Sequence, residues 1–159
     1  MEIKTLSTKL LIYKIDEGGE KEKGLIEKAR EACLKAYAPY SNYSVGAAIL
    51  FSDGSIMVGN NQENAAYPSG TCAERTALFY AHSQNPNMEI EAIAVTAYTN
   101  GEYVQEVCTP CGACRQVMSE FQDKNPKPIR VLMCNRDTVY ELGSVKDLLP
   151  LSFGFNSMI

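Results

Sequence analysis

The sequence has no surplus of positive charge. Fifteen Lys and Arg stand against 19 Asp and Glu over 159 residues, a formal net charge of −4. Proteins that hold polymeric nucleic acid draw much of their affinity from neutralised phosphates and carry a basic face. The balance here argues against such a partner and suits a small, uncharged substrate. Long hydrophobic runs are also missing. The longest apolar stretch near the start, Leu10 to Tyr13, is far below the ~18 residues of a spanning helix. Asp16, Glu17 and Glu20 follow it at once, unlike the pattern of a secretory signal. The cytoplasm is therefore the expected compartment. Histidine is nearly absent, His82 being the only one. Repeats and low-complexity tracts are lacking as well, so one domain over 1–159 is expected. Residues 1–21 form an N-terminal extension, with a possible edge strand over 3–15.

Cysteine, by contrast, is plentiful: Cys33, Cys72, Cys108, Cys111, Cys114 and Cys134. In a reducing compartment, clustered cysteines point to metal or catalysis before disulfides. The apolar spacing of Leu25, Ala29, Cys33, Ala36 and Tyr37 predicts a helix over 24–37, after a turn over 16–24 and ended by Pro39. Ser52-Asp53-Gly54 between two apolar runs predicts a hairpin of 45–51 with 55–59. Further helices are expected over 71–81, with Thr71 as cap, and over 110–121, with Pro110 in the first turn. Strands are expected over 92–98, 129–134 and 138–142, then a short helix over 145–149. Helices alternating with buried strands predict an α/β fold. The expected architecture is a three-layer α/β/α arrangement, a mixed sheet of about five strands with helices on both faces.

The sharpest chemical signal is Cys72-Ala73-Glu74 followed by Pro110-Cys111-Gly112-Ala113-Cys114. Cys111 and Cys114, three apart at a helix start, lie on one face and can share a metal. A helix N-terminus also favours thiolate, for them and for Cys72. Three thiolates without a nearby fourth ligand leave one tetrahedral position for water, the layout of a catalytic zinc site. Arg75 and Arg115 sit on the same helix faces as Cys72 and Cys111. Either guanidinium can draw charge from a thiolate, and Arg75 is the better placed. Glu74 is a carboxylate that a structural zinc site would not require. It can take a proton from a metal-bound water. Residues two apart on a helix diverge by about 200°, so Cys72 and Glu74 share a site only if the helix end projects into it.

These blocks resemble the small homotetrameric zinc-dependent cytidine deaminases. The resemblance rests on Ala38-Pro39-Tyr40-Ser41, Val45-Gly46-Ala47-Ala48 with Asp53-Gly54, and Asn61 to Tyr67. It continues through Cys72 to Ala77, Pro110 to Gln116, and Leu148-Leu149-Pro150 with Phe153. It covers roughly residues 22–153 and leaves the first twenty or so without a role. It implies one Zn²⁺ per subunit on Cys72, Cys111 and Cys114, with Glu74 as proton shuttle. It further implies that Asn61 and Glu63 hold the ribose 3′-hydroxyl, that the Ala73 backbone touches the pyrimidine, and that Tyr43 stacks near the base. Phe153 would reach a neighbouring subunit's site. The activity implied is deamination of a free pyrimidine nucleoside, cytidine or deoxycytidine, in pyrimidine salvage. The family usually has Phe where this chain has Tyr43, and a buried phenol needs a polar partner. Ser69 and Gly70 also stand in place of bulkier family residues.

Four other readings compete. Cys108, Cys111 and Cys114 have part of an iron–sulfur spacing, but the fourth cysteine of that run is missing. A structural zinc module would need His82, about three helical turns from Cys72 and better read as a surface residue. A related cytosine compound, such as a blasticidin-S-like antibiotic, would use the same chemistry, although the Asn61/Glu63 pair favours plain ribose or deoxyribose. A non-catalytic homologue would be expected to lose Glu74 or a ligand. The apolar tail residues Phe153, Phe155, Met158 and Ile159 need a covering surface, and a neighbouring subunit is the one expected.

Overall fold

The computed structural model describes all of the 159 residues except Phe155, Asn156 and Ile159. The expectation on Phe155 and Ile159 therefore lies outside the described residues. Ser52-Asp53-Gly54 turns the chain as its sequence demands. The Asp53 carboxylate accepts from the Ser55 backbone N–H at 2.9 Å and its hydroxyl at 2.6 Å, and Gly54 takes φ +85°. The turn joins β2 (Ser44–Phe51) to β3 (Ile56–Asn60) in an antiparallel pair. β4 (Ile90–Thr99) lies on the other side of β2, also antiparallel. β6 (Arg130–Cys134) runs parallel to β4, and β7 (Thr138–Leu142) returns antiparallel to β6. β1 (Leu10–Lys14) closes this side as an edge strand on β7. β5 (Glu102–Tyr103) pairs with β4. The sheet is mixed, as expected, and among the described residues has seven strands in the order β1-β7-β6-β4-β2-β3 with β5 beside β4. The count exceeds the expected five or so. The addition that escaped the sequence reading is β5, introduced by Asn100 and Gly101 with φ 53° and 85°, a primed hairpin turn.

Both faces are covered. α1 (Glu20–Cys33) packs Leu25, Ile26 and Ala29 on Ala48, Leu50, Ala94 and Leu132. α2 (Ala73–Gln84) and α3 (Gly112–Lys124) bury Ala77, Leu78 and Met118 on Ala47, Ile49, Ile93 and Val95. Successive residues of β2 and β4 thus enter opposite cores, and their apolar runs are continuous for that reason. Two glycines admit helices to van der Waals contact with the sheet. A Cβ on Gly46 would lie 2.0 Å from the Ala29 carbonyl oxygen of α1, and one on Gly59 would lie 2.4 Å from the Ala77 nitrogen of α2.

α1 starts and stops about four residues earlier than the apolar spacing predicts. Its first turn is the charged stretch that reads as a loop, begun at Gly19 with Glu20 and Glu22 facing the helix dipole. Its end is set before Tyr37, whose backbone pairs instead with Asn61 at 3.0 Å and Glu63 at 2.8 Å. That tertiary pairing overrides helix continuation. Among the described residues no helix is long and apolar enough to cross a membrane.

Candidate metal centre and adjoining cavity

Two helices begin on cysteine. Cys72 is the N-cap of α2 and Cys111 the N-cap of α3, both extended (φ −72°, ψ 156° and φ −67°, ψ 166°), and neither side chain caps its own helix. The expected caps at Thr71 and first-turn Pro110 therefore lie just outside the helices. The extended N-cap resolves the angular problem between Cys72 and Glu74. Their spacing is not helical, so the sulfur and the carboxylate can serve one site. Cys114, fully buried, comes from the first turn of α3.

The three sulfurs gather within 4.8 Å of one another. Cys72 Sγ lies 3.9 Å from Cys111 Sγ, which lies 3.5 Å from Cys114 Sγ. Tetrahedral zinc with Zn–S bonds of about 2.3 Å holds sulfurs about 3.8 Å apart. The donor set fits zinc in chemistry and spacing. Arg75 donates from Nη2 to Cys72 Sγ at 3.5 Å. The bond from the Cys114 thiol holds the Cys72 thiol down to about 5, against burial and with help from Arg75. The same bond, with burial, pushes Cys114 up. One thiolate, on Cys72, is thus favoured even before a cation arrives.

Glu74 is 4% exposed in the first turn of α2. Burial raises its carboxyl above the ordinary range, and the neighbouring Cys72 charge adds to this. It opens onto a cavity of about 590 Å³ whose wall includes Tyr43, Asn61, Glu63, Cys72 and Cys111. That volume suits a small-molecule ligand. A second hollow of about 420 Å³ shares Asn61, Glu63 and Cys72 and continues past Tyr40, Tyr67 and Arg75.

Asn61 and Glu63 reach this wall while holding its backbone. Asn61 accepts from the Val45 N–H at 2.7 Å and donates to the Tyr43 carbonyl at 2.9 Å. Glu63 accepts from the N–H groups of Tyr40 at 2.8 Å and Ser41 at 3.2 Å, and from the Ser41 hydroxyl. The Ser41 bond is the main cause that keeps the exposed Glu63 carboxyl below its ordinary range. Tyr43 and Cys108 line the same cavity, and Cys108 is the polar group beside its phenol. Burial first, then Cys108, pushes the phenol up to about 12.

The other expected residues stand differently. Ala73 is fully buried at the start of α2. Arg115 does not reach a sulfur among the described hydrogen bonds. It donates to the carbonyls of Pro110 at 2.8 Å and Leu148 at 3.2 Å, bracing the approach to Cys111 against the Val145–Leu148 turn. Of the two arginines, Arg75 is the one that reaches a sulfur among the described hydrogen bonds. Phe153 is 62% exposed and lies outside both hollows, its carbonyl held by Gln116 at 2.8 Å. His82 is exposed and packs edge-on against Phe121. Sequence reading missed Ser41, Glu106, Val107 and Thr109 in the cavity wall. Their nearness to Pro110-Cys111 in sequence was the available signal for the last three.

A mixed sheet that brings two helix N-termini together over three thiols and a buried carboxylate defines a metal-dependent hydrolytic site. Residues 19–127 match the family described as the cytidine and deoxycytidylate deaminase zinc-binding region. A cytidine deaminase of Halalkalibacterium halodurans is 43% identical over 134 residues, 84% of this chain and 95% of that protein. One from Sporosarcina psychrophila is 43% identical over 129 residues, 81% of this chain and 88% of that protein. Among solved structures, cytidine deaminase from Burkholderia pseudomallei superposes with TM-score 0.69 at 44% identity, covering 82% of this chain and 98% of that one. The chain belongs to the cytidine and deoxycytidylate deaminase zinc-binding family.

Proposed function

We propose that this protein is a zinc-dependent cytidine deaminase. It hydrolyses the amino group of cytidine, deoxycytidine or both, giving uridine or deoxyuridine and ammonia. The observation that carries the reading is the buried Glu74 carboxylate beside three thiols, opening on a nucleoside-sized cavity. Cys72, Cys111 and Cys114 would hold one zinc, leaving a tetrahedral position for water. Bound there, zinc supplies a water acidified to near neutrality. Glu74 accepts that water's proton, passes it to ring N3 and so makes C4 electrophilic. The deprotonated water oxygen would add to C4, Glu74 would take the proton of the new C4 hydroxyl and deliver it to the amino group, and ammonia would leave as C4=O forms, so one carboxyl serves successive transfers. Burial suits it to carry the proton between them.

Asn61 and Glu63 hold the ribose 3′-hydroxyl with the polar capacity left after they fix the 40–45 loop. Tyr43 lies against the base, and the Ala73 backbone meets the pyrimidine edge. Glu63 adds negative charge where a 5′-phosphate would approach, favouring the free nucleoside. The role fits pyrimidine salvage in the cytoplasm. The antibiotic-type substrate is not favoured, because the relatives are named cytidine deaminases at high coverage. The assembly is a homotetramer with shared sites, a reading supported by the exposed apolar side chains of Leu151 and Phe153 near the chain's C-terminal end.

The test is ammonia release from cytidine by Glu74→Gln protein with zinc counted in the same sample. An amide cannot relay a proton, so turnover falls well beyond ~10²-fold at full zinc. Near-normal turnover would refute the reading. Shared sites are checked by co-refolding Glu74→Gln with Phe153→Ala. Mixed assemblies regain activity if a neighbour completes each site, and no rescue in confirmed mixed assemblies refutes sharing.

A further inference from the structure

β1 lies outside the family match, which begins at residue 19, and it leaves one edge of the sheet open. Its side chains are unusual for such a position. Leu10, Leu11 and Ile12 are 42%, 52% and 56% exposed. An exposed apolar edge strand is a template for another strand.

The hydrogen-bond pattern says which groups are open. The Ile15 N–H donates to the Asp137 carbonyl at 3.0 Å. In the antiparallel register of Leu11 with Glu141 and Tyr13 with Val139, Leu11, Tyr13 and Ile15 therefore face β7. The alternate residues Leu10, Ile12 and Lys14 turn their backbone groups to the free edge. The Lys14 N–H is already taken by Glu17 Oε2 at 2.8 Å. Open donors and acceptors remain at Leu10 and Ile12.

We propose that this edge pairs with β1 of a second copy of the chain, antiparallel about a two-fold axis at Leu11. This register places Leu10 of each copy opposite Ile12 of the other, so both open residues on both strands find partners. Centring on Ile12 would set Leu10 against the occupied Lys14 N–H. Side chains agree with the register. Tyr13 and Ile15 pack on the α1 side of the sheet, so Leu11 shares that face and meets its own copy there, while Leu10 and Ile12 of both copies cluster on the other face.

Charge complementarity favours a second copy over an unrelated strand. Lys9 of one copy falls opposite Tyr13 of the other, whose hydroxyl donates to Glu141 at 2.6 Å. Glu141 stands with Glu22 and Glu91 around Arg130, and with Lys21 also on Glu91 the cluster sets three carboxylates against two cations. The antiparallel direction also carries the Lys4 and Lys9 arm of one copy toward the Asp16, Glu17 and Glu20 turn of the other. The interface uses neither the C-terminal tail nor the cavity, so it is independent of the shared-site assembly.

The test is cross-linking of the zinc-loaded protein under mild oxidation, read on a non-reducing gel. Facing residues of a non-hydrogen-bonded pair have Cα atoms about 4.5 Å apart, within disulfide reach. Leu11→Cys therefore shifts to a covalent dimer. The two copies of Leu10→Cys are offset by about 7 Å along the strands and stay monomeric on the gel, as does the parent protein. Adding Ile12→Pro to Leu11→Cys removes the shift. Its ring leaves the β7 ladder intact, because the Ile12 N–H faces the open edge, but it deletes a donor to the second copy. Zinc content and kcat/KM of the Ile12→Pro protein stay at the parent value. No dimer from Leu11→Cys, equal dimer from Leu10→Cys, or a dimer that survives Ile12→Pro would each overturn the proposal.

Discussion

Gly59 offers a way to move the site without touching it. The residue lies in β3, under the start of α2. A Cβ there would meet three backbone atoms: Ala77 N at 2.4 Å, Ala73 O at 2.7 Å and Ala77 Cα at 2.9 Å. No rotamer change can relieve contacts with backbone. Restoring an ordinary separation of about 3.4 Å requires α2 to back away by about 1 Å. The first turn of α2 carries Cys72 and Glu74, so that shift passes directly to a sulfur and the carboxylate. Overpacking of this kind costs about 1–3 kcal/mol. In a domain of this size that corresponds to a fall in Tm of roughly 2–4 °C for each kcal/mol. A misplacement of ~1 Å at the reacting groups costs about 10²-fold in turnover. The assay compares Gly59→Ala with Gly143→Ala, whose added Cβ meets nothing within 4 Å. Zinc content, thermal melting and kcat/KM are measured on both. Gly59→Ala should lose both activity and stability, and Gly143→Ala neither. Parent-like turnover and melting for Gly59→Ala would show that α2 is not seated on β3 as described.

Arg75→Ala removes the guanidinium that bonds Cys72 Sγ. Turnover should fall by about 10-fold or more at full zinc occupancy, because groups behind metal ligands are worth about that much. Unchanged kinetics in zinc-replete protein would place Arg75 outside the machinery. Acid stability should depend on Glu22. Burial, the largest single cause, works to raise its carboxyl, but the 2.8 Å bond from Arg130, a backbone bond and the charges of Arg130 and Lys21 together outweigh it, and the folded pKa lies below the ordinary value. A depressed carboxyl stabilises the fold above its unfolded pKa, near 4.3, and loses that contribution as the pH falls through the folded value. Urea melts of parent and Glu22→Gln protein should differ at pH 6 and converge as the pH falls well below the ordinary carboxyl range. A constant gap across that range would show that the pair does not drive the dependence.

The chemistry was more legible in the sequence than the geometry that delivers it. Cys72, Glu74, Cys111 and Cys114 could be read because metal donors recur at short, fixed spacings near helix starts. The two-sided core could be read because β2 and β4 carry unbroken apolar runs, residues 45–51 and 92–95. β5 escaped because two residues cannot carry a periodic pattern, although Asn100-Gly101 announced its turn. The start of α1 escaped because its first turn is all charge, with no apolar residue to mark it as helix. The double task of Asn61 and Glu63, facing the cavity while bonding the 40–45 loop, joins segments far apart in sequence and leaves no local trace. The same holds for Arg115, whose partner Leu148 lies in the Val145–Leu148 turn, 33 residues further on.

Helices α2 and α3 begin on cysteines that cap nothing. Most helices satisfy their first N–H groups with a hydroxyl or carboxylate at this position. Here the two cap sulfurs lie 3.9 Å apart, and a zinc held by both would tie the two helix starts together. Holding zinc and holding the first turns of both helices are then one equilibrium. Each tenfold excess of free zinc over its dissociation constant adds about 1.4 kcal/mol to the folded state. A cell short of zinc would therefore lose this enzyme as an intact molecule as well as a catalyst. The first segments to fray would be those that form the mouth of the cavity, making the chain's lifetime a readout of metal supply.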